Sequence, residues 1–366
     1  MGRSPRRTRH AYFIGAGFAS AFGLPNTQQL LEEVHRLSDE SDYWGTRKQL
    51  GPRLEEAYRA IYPIEAKARG FRPNVVDFFS VLKTFNDITS GFPASPITRP
   101  GELLRDLKRA IAFVLLRKLK VNENRIHEYR EKLLPIVHPG SLVITSNWDL
   151  LLERAASILR VPLRYRLTQD PDSHVTLLKL HGSIDWATQD NVAQPRPGIP
   201  KDEVHIDDLE VSWPVDDYAS LGESLFSNRK RRFPPRFLEF NEITLEWLEP
   251  LVRIRVHEDW NNAWRRIKSR SPEPLILTMG PGKSTRDNGL GGIWKDAYSA
   301  ISRARQFEVI GYSLPSDDLE IRALLVAGLK RGTQGVRIVV KNPAPDVHER
   351  FRSHIDRRIV SDYLPM

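Results

Sequence analysis

Residues 12–25 read YFIGAGFASAFGLP: an apolar run, the turn Gly15-Ala16-Gly17, then a small-residue segment closing on Gly23 and Pro25. A strand that ends in such a turn and feeds a helix brings backbone N–H groups to a helix N-terminus, where an anion is favoured. The same pattern also serves as a plain structural turn, and the rest of the chain has to decide between the two. The dinucleotide fingerprint G-x-G-x-x-G is met at Gly15 and Gly17 but broken at Ser20. No acidic residue closes a second strand about 20 residues on, so the stretch is not a dehydrogenase signature.

Working outward, three more buried-strand patterns end in a polar or glycine turn: SLVITS (141–146), FEVIGYS (307–313) and VRIVVKN (336–342). VTLLKLHG (175–182) and PLILTMG (274–280) are two further candidates. Most are continuous apolar runs, the mark of strands buried on both faces. Helical patterns follow several of them, in NWDLLLERAASIL, WKDAYSAISRA and SDDLEIRALLVAGLKR. Strand, turn and helix in repetition predict an α/β fold, a Rossmann-like parallel sheet with helices on both faces. Two segments interrupt the rhythm and are expected to be insertions in a single discontinuous domain spanning 1–366. Residues 27–137 read as helical, and residues 187–274 are broken by proline and carry Trp213, Trp247, Trp260 and Trp264. In the second segment, FPPRFLEFNEITLEWLEPL and HEDWNNAWRRIKSR look helical.

With 40% hydrophobic and 28% charged residues, the chain has the composition of a folded globular protein rather than a disordered one. No run approaches the roughly 18 apolar residues of a membrane span. A hydrophobic strand, not a signal core, follows the basic start MGRSPRRTRH, and a cytoplasmic protein without membrane attachment is expected. There is no cysteine, which excludes disulfides, thiolate-held metals and a cysteine nucleophile. No histidine–carboxylate spacing points to a metal site. The net charge of +9 gathers at Arg3, Arg6, Arg7 and Arg9 and at Arg229–Arg232. Such runs grip phosphates or serve as solvated tails, and they lack the aromatics of a single-strand stacking platform.

The remaining motifs each have a plain and a chemical reading. LTMGPGKST ends like a P-loop, but Leu277 stands where the first glycine must be. Asn147 and Asp149 follow a buried strand, at the edge where open α/β sheets bind ligands, and either also fits a helix N-cap. His181 ends another strand beside Gly182, a setting for a general base as well as for a core histidine. Gly311-Tyr312-Ser313 ends a third, with Ser316 or Asp317 expected to cap the next helix. Asn342 ends a fourth, before Pro343.

Taken in order, GAGFASAFGLP, TSNWDLLLE, KLHGSIDW, GPGKS…IWKDAYSAISRA, VIGYSLPSDDLEIRALL and VVKNP resemble the sirtuin-like superfamily, in its bacterial NAD-hydrolase branch. The resemblance runs across residues 12–343, apart from the two insertions. It implies NAD as a substrate bound in an extended pose, with no metal. Gly15, Ala16 and Gly17 would line the pyrophosphate, Phe18 would lie near the nicotinamide ribose, and Gly311 and Ser313 would contact a phosphate. Asn342 would sit near the adenine ribose. Asn147 and His181 match the two residues taken to carry catalysis, and Asp149 would lie near the nicotinamide amide. Three departures stand out. The four-cysteine zinc module of protein-deacylating members is impossible here. Ala19 replaces a usual serine or threonine, whose hydrogen bond is then lost or supplied by Ser20. Trp148 stands where tyrosine is frequent.

The activity implied is cleavage of NAD to nicotinamide and ADP-ribose by an anti-phage effector. It would work as a homo-oligomer or with a partner such as a ring ATPase or short Argonaute, and nucleic acid would be met indirectly or through the basic runs. The alternatives are an NAD-dependent deacylase or ADP-ribosyltransferase, and a regulatory module that binds NAD or ADP-ribose without turnover.

Overall fold

The structure is a computed structural model, and it describes residues 10–40, 50–89, 96–167, 171–188, 251–253, 274–277, 290–331, 336–355 and 360–362. The opening stretch forms β1 (His10–Ile14) and the short helix α1 (Ala16–Ala21). From Ala11 to Ile14 every residue of β1 is buried, as a strand covered on both faces must be.

β1 lies at the centre of a seven-stranded sheet in which every pairing is parallel. On one side follow β2 (Leu142–Thr145), β4 (Val175–Lys179) and, at the edge, β3 (Leu163–Arg164). On the other follow β9 (Gln306–Ile310), β10 (Arg337–Lys341) and β11 (Val360–Asp362). The chain therefore builds outward from β1 in one direction, returns, and builds outward in the other. This is the Rossmann-like arrangement, and it places a topological switch point between β1 and β9. β2 leads through α8 (Leu151–Leu159) to β3, whereas β9 leads through α10 (Leu319–Arg331) to β10. Right-handed crossovers running in opposite directions put α8 and α10 on opposite faces of the sheet. α9 (Gly291–Arg303) packs against α10, and α11 (Pro345–His354) follows β10.

Between α1 and β2 the described chain holds α2 (Leu30–Glu40), α3 (Leu50–Ile61), α4 (Val75–Thr89), α5 (Pro100–Val121), α6 (Asn124–Glu128) and α7 (Arg130–Leu133). The long α5, with Pro at its start where no N–H is needed, is the post on which α2, α3 and α4 lean. Its Leu103, Leu107, Ile111 and Val114 are buried.

Three features differ from the reading of the sequence. PLILTMG is not a strand of the main sheet. Among its described residues, 274–277, Leu275–Ile276 (β8) is extended, and it pairs antiparallel with β5 (Gly182–Ser183) just beyond β4. An apolar run records burial but not the partner, and this one is buried against the turn after β4. The edge strands β3 and β11, two and three residues long, are too short to leave a periodic signal. Most of residues 187–274, the GPGKS segment and both basic runs lie outside the described residues. Within that second segment, Leu251–Arg253 (β7) is a strand paired antiparallel with β6 (Trp186–Thr188), although Leu251 was expected to end a helix.

Candidate active site at the carboxyl edge of the sheet

Parallel register fixes the site's floor. Ile14 pairs with Thr145, and Thr145 with Lys179, so the last residues of β1, β2 and β4 form one row facing one side. These three residues, with Phe18 from α1 and Asn147 and Asp149 from the turn after β2, surround a recess packed closely enough that no water-sized space is left inside it.

Each side chain here is held by local chemistry. The Thr145 hydroxyl donates to the Ile14 carbonyl (2.9 Å) and accepts from the Asn147 N–H (3.0 Å), which bends the chain out of the strand. The Asn147 amide then donates to the Gly15 carbonyl at 3.2 Å and so clips the β2 turn to the β1 turn. The Asp149 carboxylate accepts from the Leu151 N–H at 2.9 Å in a local turn, but the cap of α8 is Leu150, whose carbonyl takes the first helical bond from Arg154, so neither Asn147 nor Asp149 is the N-cap. Lys179, 1% exposed, donates to the Asp149 carbonyl and, at 2.9 Å, to Glu153, itself 1% exposed. The Tyr165 hydroxyl also donates to Glu153, at 3.1 Å. Burial raises the Asp149 carboxyl above the usual carboxylate range, opposed by Lys179, by the Leu151 N–H and by Asn147. Burial raises Glu153 as well, with Lys179 opposing and Asp185 reinforcing. Glu153 and Lys179 fall within TSNWDLLLE and KLHGSIDW, but those motifs assign neither of them a role. Their trace in the sequence is a charged residue inside an apolar helix face and another inside an apolar strand.

The glycines of the opening stretch meet those of the later one at the switch point. Gly15 N–H donates to Ile310 O (3.0 Å), Gly17 N–H to Gly311 O (2.8 Å) and Phe18 N–H to Gly15 O (3.1 Å). These three N–H groups are therefore spent on main chain rather than aimed at an anion. A Cβ on Gly15 would lie 2.6 Å from the Gly311 carbonyl oxygen, and one on Gly311 (φ +65°) would lie 2.1 Å from the Phe18 nitrogen. What requires glycine here is the close approach of two backbone turns. Ala16 opens α1. The Ser20 hydroxyl donates back to the Ala16 carbonyl at 3.1 Å, so it is turned into its own helix, and Ala19 is buried. Ser313 is exposed, and its carbonyl accepts from Arg350 at 2.8 Å. Asn342 is buried; its side chain accepts from the Ala344 N–H at 3.0 Å and its carbonyl is bonded by His348 at 2.8 Å, a turn into α11.

His181 occupies the position on β4's turn equivalent to Asn147 on β2's, two residues beyond the paired Thr145 and Lys179. It does not line the recess. It is fully buried, its ring 6.3 Å from that of Trp294 on α9, and its Nε2 lies 3.8 Å from Asp318. The Tyr312 hydroxyl donates to the other Asp318 oxygen at 2.7 Å. Burial and the neighbouring Asp318 raise that hydroxyl well above its ordinary value, so it remains a donor. Tyr312 packs on Phe13 with ring centres 4.7 Å apart, while the next residue, Ile14, faces the recess. Adjacent strand residues point to opposite faces, so the recess and the His181 group lie on opposite sides of the sheet's edge.

Asp318 is a site residue that the sequence did not single out. The helix cap was expected at Ser316 or Asp317. Instead the Arg322 N–H donates to the Asp318 carbonyl at 3.1 Å, so α10 opens at Asp318. Three adjacent residues of equal capping chemistry leave no sequence signal to choose among them.

No family model matches the chain, and no curated protein does either. Among the described residues, no helix is long and apolar enough to cross a membrane.

Proposed function

We propose that the chain is an NAD+ glycohydrolase that cleaves NAD+ to nicotinamide and ADP-ribose. The observation that carries this reading is the convergence of Phe18, Asn147 and Asp149 on one recess beside the glycine crossing, with His181 level with Asn147 on the next strand. Asn147, Asp149 and His181 stand out in the sequence by their place after buried strands, and Phe18 by the resemblance of its motif. In this reading the recess opens to take the nicotinamide–ribose end of NAD+, and the pyrophosphate runs over the glycine crossing toward β9.

The residues suit the chemistry. Breaking the bond between the ribose carbon and the nicotinamide nitrogen builds an oxocarbenium-like cation, and the bonding electrons leave with a neutral ring. Water adds to the carbon, and its proton passes to His181 as general base once substrate binding brings together the recess and His181, which without it lie on opposite sides of the sheet's edge. Asn147, already braced on the Gly15 carbonyl, orients the ribose or the water. The Asp149 carboxyl faces the developing positive charge. The biological setting we infer is an anti-phage effector that depletes NAD+ once a partner or self-assembly triggers it, with a ring ATPase or short Argonaute as partner types.

The test incubates purified protein, alone and reconstituted with the products of its neighbouring genes, with NAD+, and quantifies nicotinamide and ADP-ribose. Wild type is expected to form both in equal amounts. Asn147→Ala and His181→Ala are expected to lose about 10²-fold or more. Failure of both the chain alone and the reconstituted assembly to consume NAD+ would falsify the reading. A rival reading, a module that binds NAD or ADP-ribose without turnover, draws on the complete burial of His181 away from the recess. It predicts binding without nicotinamide release in the same assay.

A further inference from the structure

We propose that Asp318 is the positioning residue of His181: its carboxylate orients the imidazole and stabilises the positive charge that forms there when the ring takes a proton. The proposal rests on the reading of His181 as the general base, and it assigns a role to a residue of VIGYSLPSDDLEIRALL to which the resemblance gives none.

The geometry is that of a buried ion pair in waiting. His181 and Asp318 are both fully buried, and Nε2 faces Oδ1 at 3.8 Å. That distance is a charge contact rather than a hydrogen bond. Catalytic contacts of this kind are often long without substrate and shorten in the complex. Away from water, a carboxylate at this range acts strongly on the protonation of its neighbour.

Asp318 is itself fixed at three points. Tyr312 donates to Oδ2 at 2.7 Å, which turns Oδ1 toward His181. The Asp318 carbonyl accepts the first main-chain bond of α10, from Arg322. The loop that delivers it from β9 runs through two left-handed residues, Gly311 (φ +65°) and the fully buried Leu314 (φ +50°). Strain in a non-glycine residue persists only where its surroundings over-determine it, and such positions gather at functional sites. The loop thus carries a carboxylate from β9 across the sheet's edge to a histidine after β4. Asp317 and Arg322 also act on Tyr312, from the loop and from the first turn of α10, while α9 presents the uncharged Trp294 to His181. With Asp318 beside Nε2, the proton that His181 takes from water goes to the other ring nitrogen.

Asp318→Asn keeps the shape and an acceptor for Tyr312 but removes the charge. The full chain, labelled in its histidine rings, is titrated by NMR without NAD+, and the His181 signal is assigned by its loss in His181→Gln. In Asp318→Asn the midpoint of that signal is expected to fall by about one to two pH units. In the NAD+ assay the same variant is expected to lose about 10–100-fold in kcat with KM little changed. Tyr312→Phe, which only loosens Asp318, is expected to move both in the same direction by less. An unchanged midpoint, or an unchanged kcat in an enzyme that hydrolyses NAD+, overturns the proposal. A shifted midpoint in a protein that never consumes NAD+ supports the Asp318–His181 coupling while overturning the hydrolase reading, so the two failures are distinct.

Discussion

The two faces of the sheet's carboxyl edge reach buried polar chemistry by different routes. On the α1/α8 face, strand register does the work: Ile14, Thr145 and Lys179 are partners in one row, and the turn after β2 adds Asn147 and Asp149 to it. On the α9/α10 face nothing is set by register. His181 meets Asp318 because a loop crosses from β9 and is held by Tyr312. A row assembled by hydrogen-bonded strands is fixed as soon as the sheet forms. A contact made by a loop depends on that loop's backbone, and here the backbone depends on glycine.

The strongest way to break this contrast is Lys179→Met. It leaves Glu153 buried with Tyr165 but without its cation, and removing one member of a buried pair costs about 3–5 kcal/mol. Urea unfolding should register that loss. Replacing both members, as in Lys179→Met with Glu153→Leu, should recover most of it. A double variant as unstable as the single one would show that the recess row does not depend on the ion pair.

Gly311→Ala strikes the loop instead. Its Cβ would press on the Phe18 nitrogen at 2.1 Å in a left-handed backbone, and overpacking of this kind costs roughly 1–3 kcal/mol. Because the crossing joins the faces, it should also disturb His181. A histidine-ring spectrum like that of wild type, together with lost stability, would mean that the two regions are independent.

The smallest effect expected is a pH dependence confined to the recess. Burial raises the Asp149 carboxyl, so its contribution to stability is full below the ordinary carboxylate range and is lost as pH rises through the raised value. Asp149→Asn has no such dependence. Its stability relative to wild type should therefore grow as pH increases from acid toward neutral. A constant difference across that range would place the Asp149 proton equilibrium at its unfolded value.

Part of the site was legible because strands buried on both faces advertise themselves. The apolar runs of β1, β2, β9 and β10 stand out, and each ends in a chemically marked turn, which is why Gly15, Asn147, Gly311 and Asn342 could be picked out. Other parts were not legible. PLILTMG has the same apolar content as a sheet strand but pairs with the turn after β4, since hydrophobicity reports burial and not the neighbour. Ser20 looked able to stand in for the hydroxyl absent at Ala19, yet a serine within a helix readily bonds the carbonyl four residues back, and this one does.

The sequence by itself determined the parallel α/β sheet, because local apolar runs and turn residues act over a few positions and do not depend on the rest of the fold. It also determined that thiolate chemistry is absent, because no cysteine is present. Only the tertiary structure decided which of Ser316, Asp317 and Asp318 faces His181, and that the glycines of YFIGAGFASAFGLP hold two turns together. Both depend on the path of one backbone past another, through contacts between residues nearly 300 positions apart, such as Gly17 with Gly311.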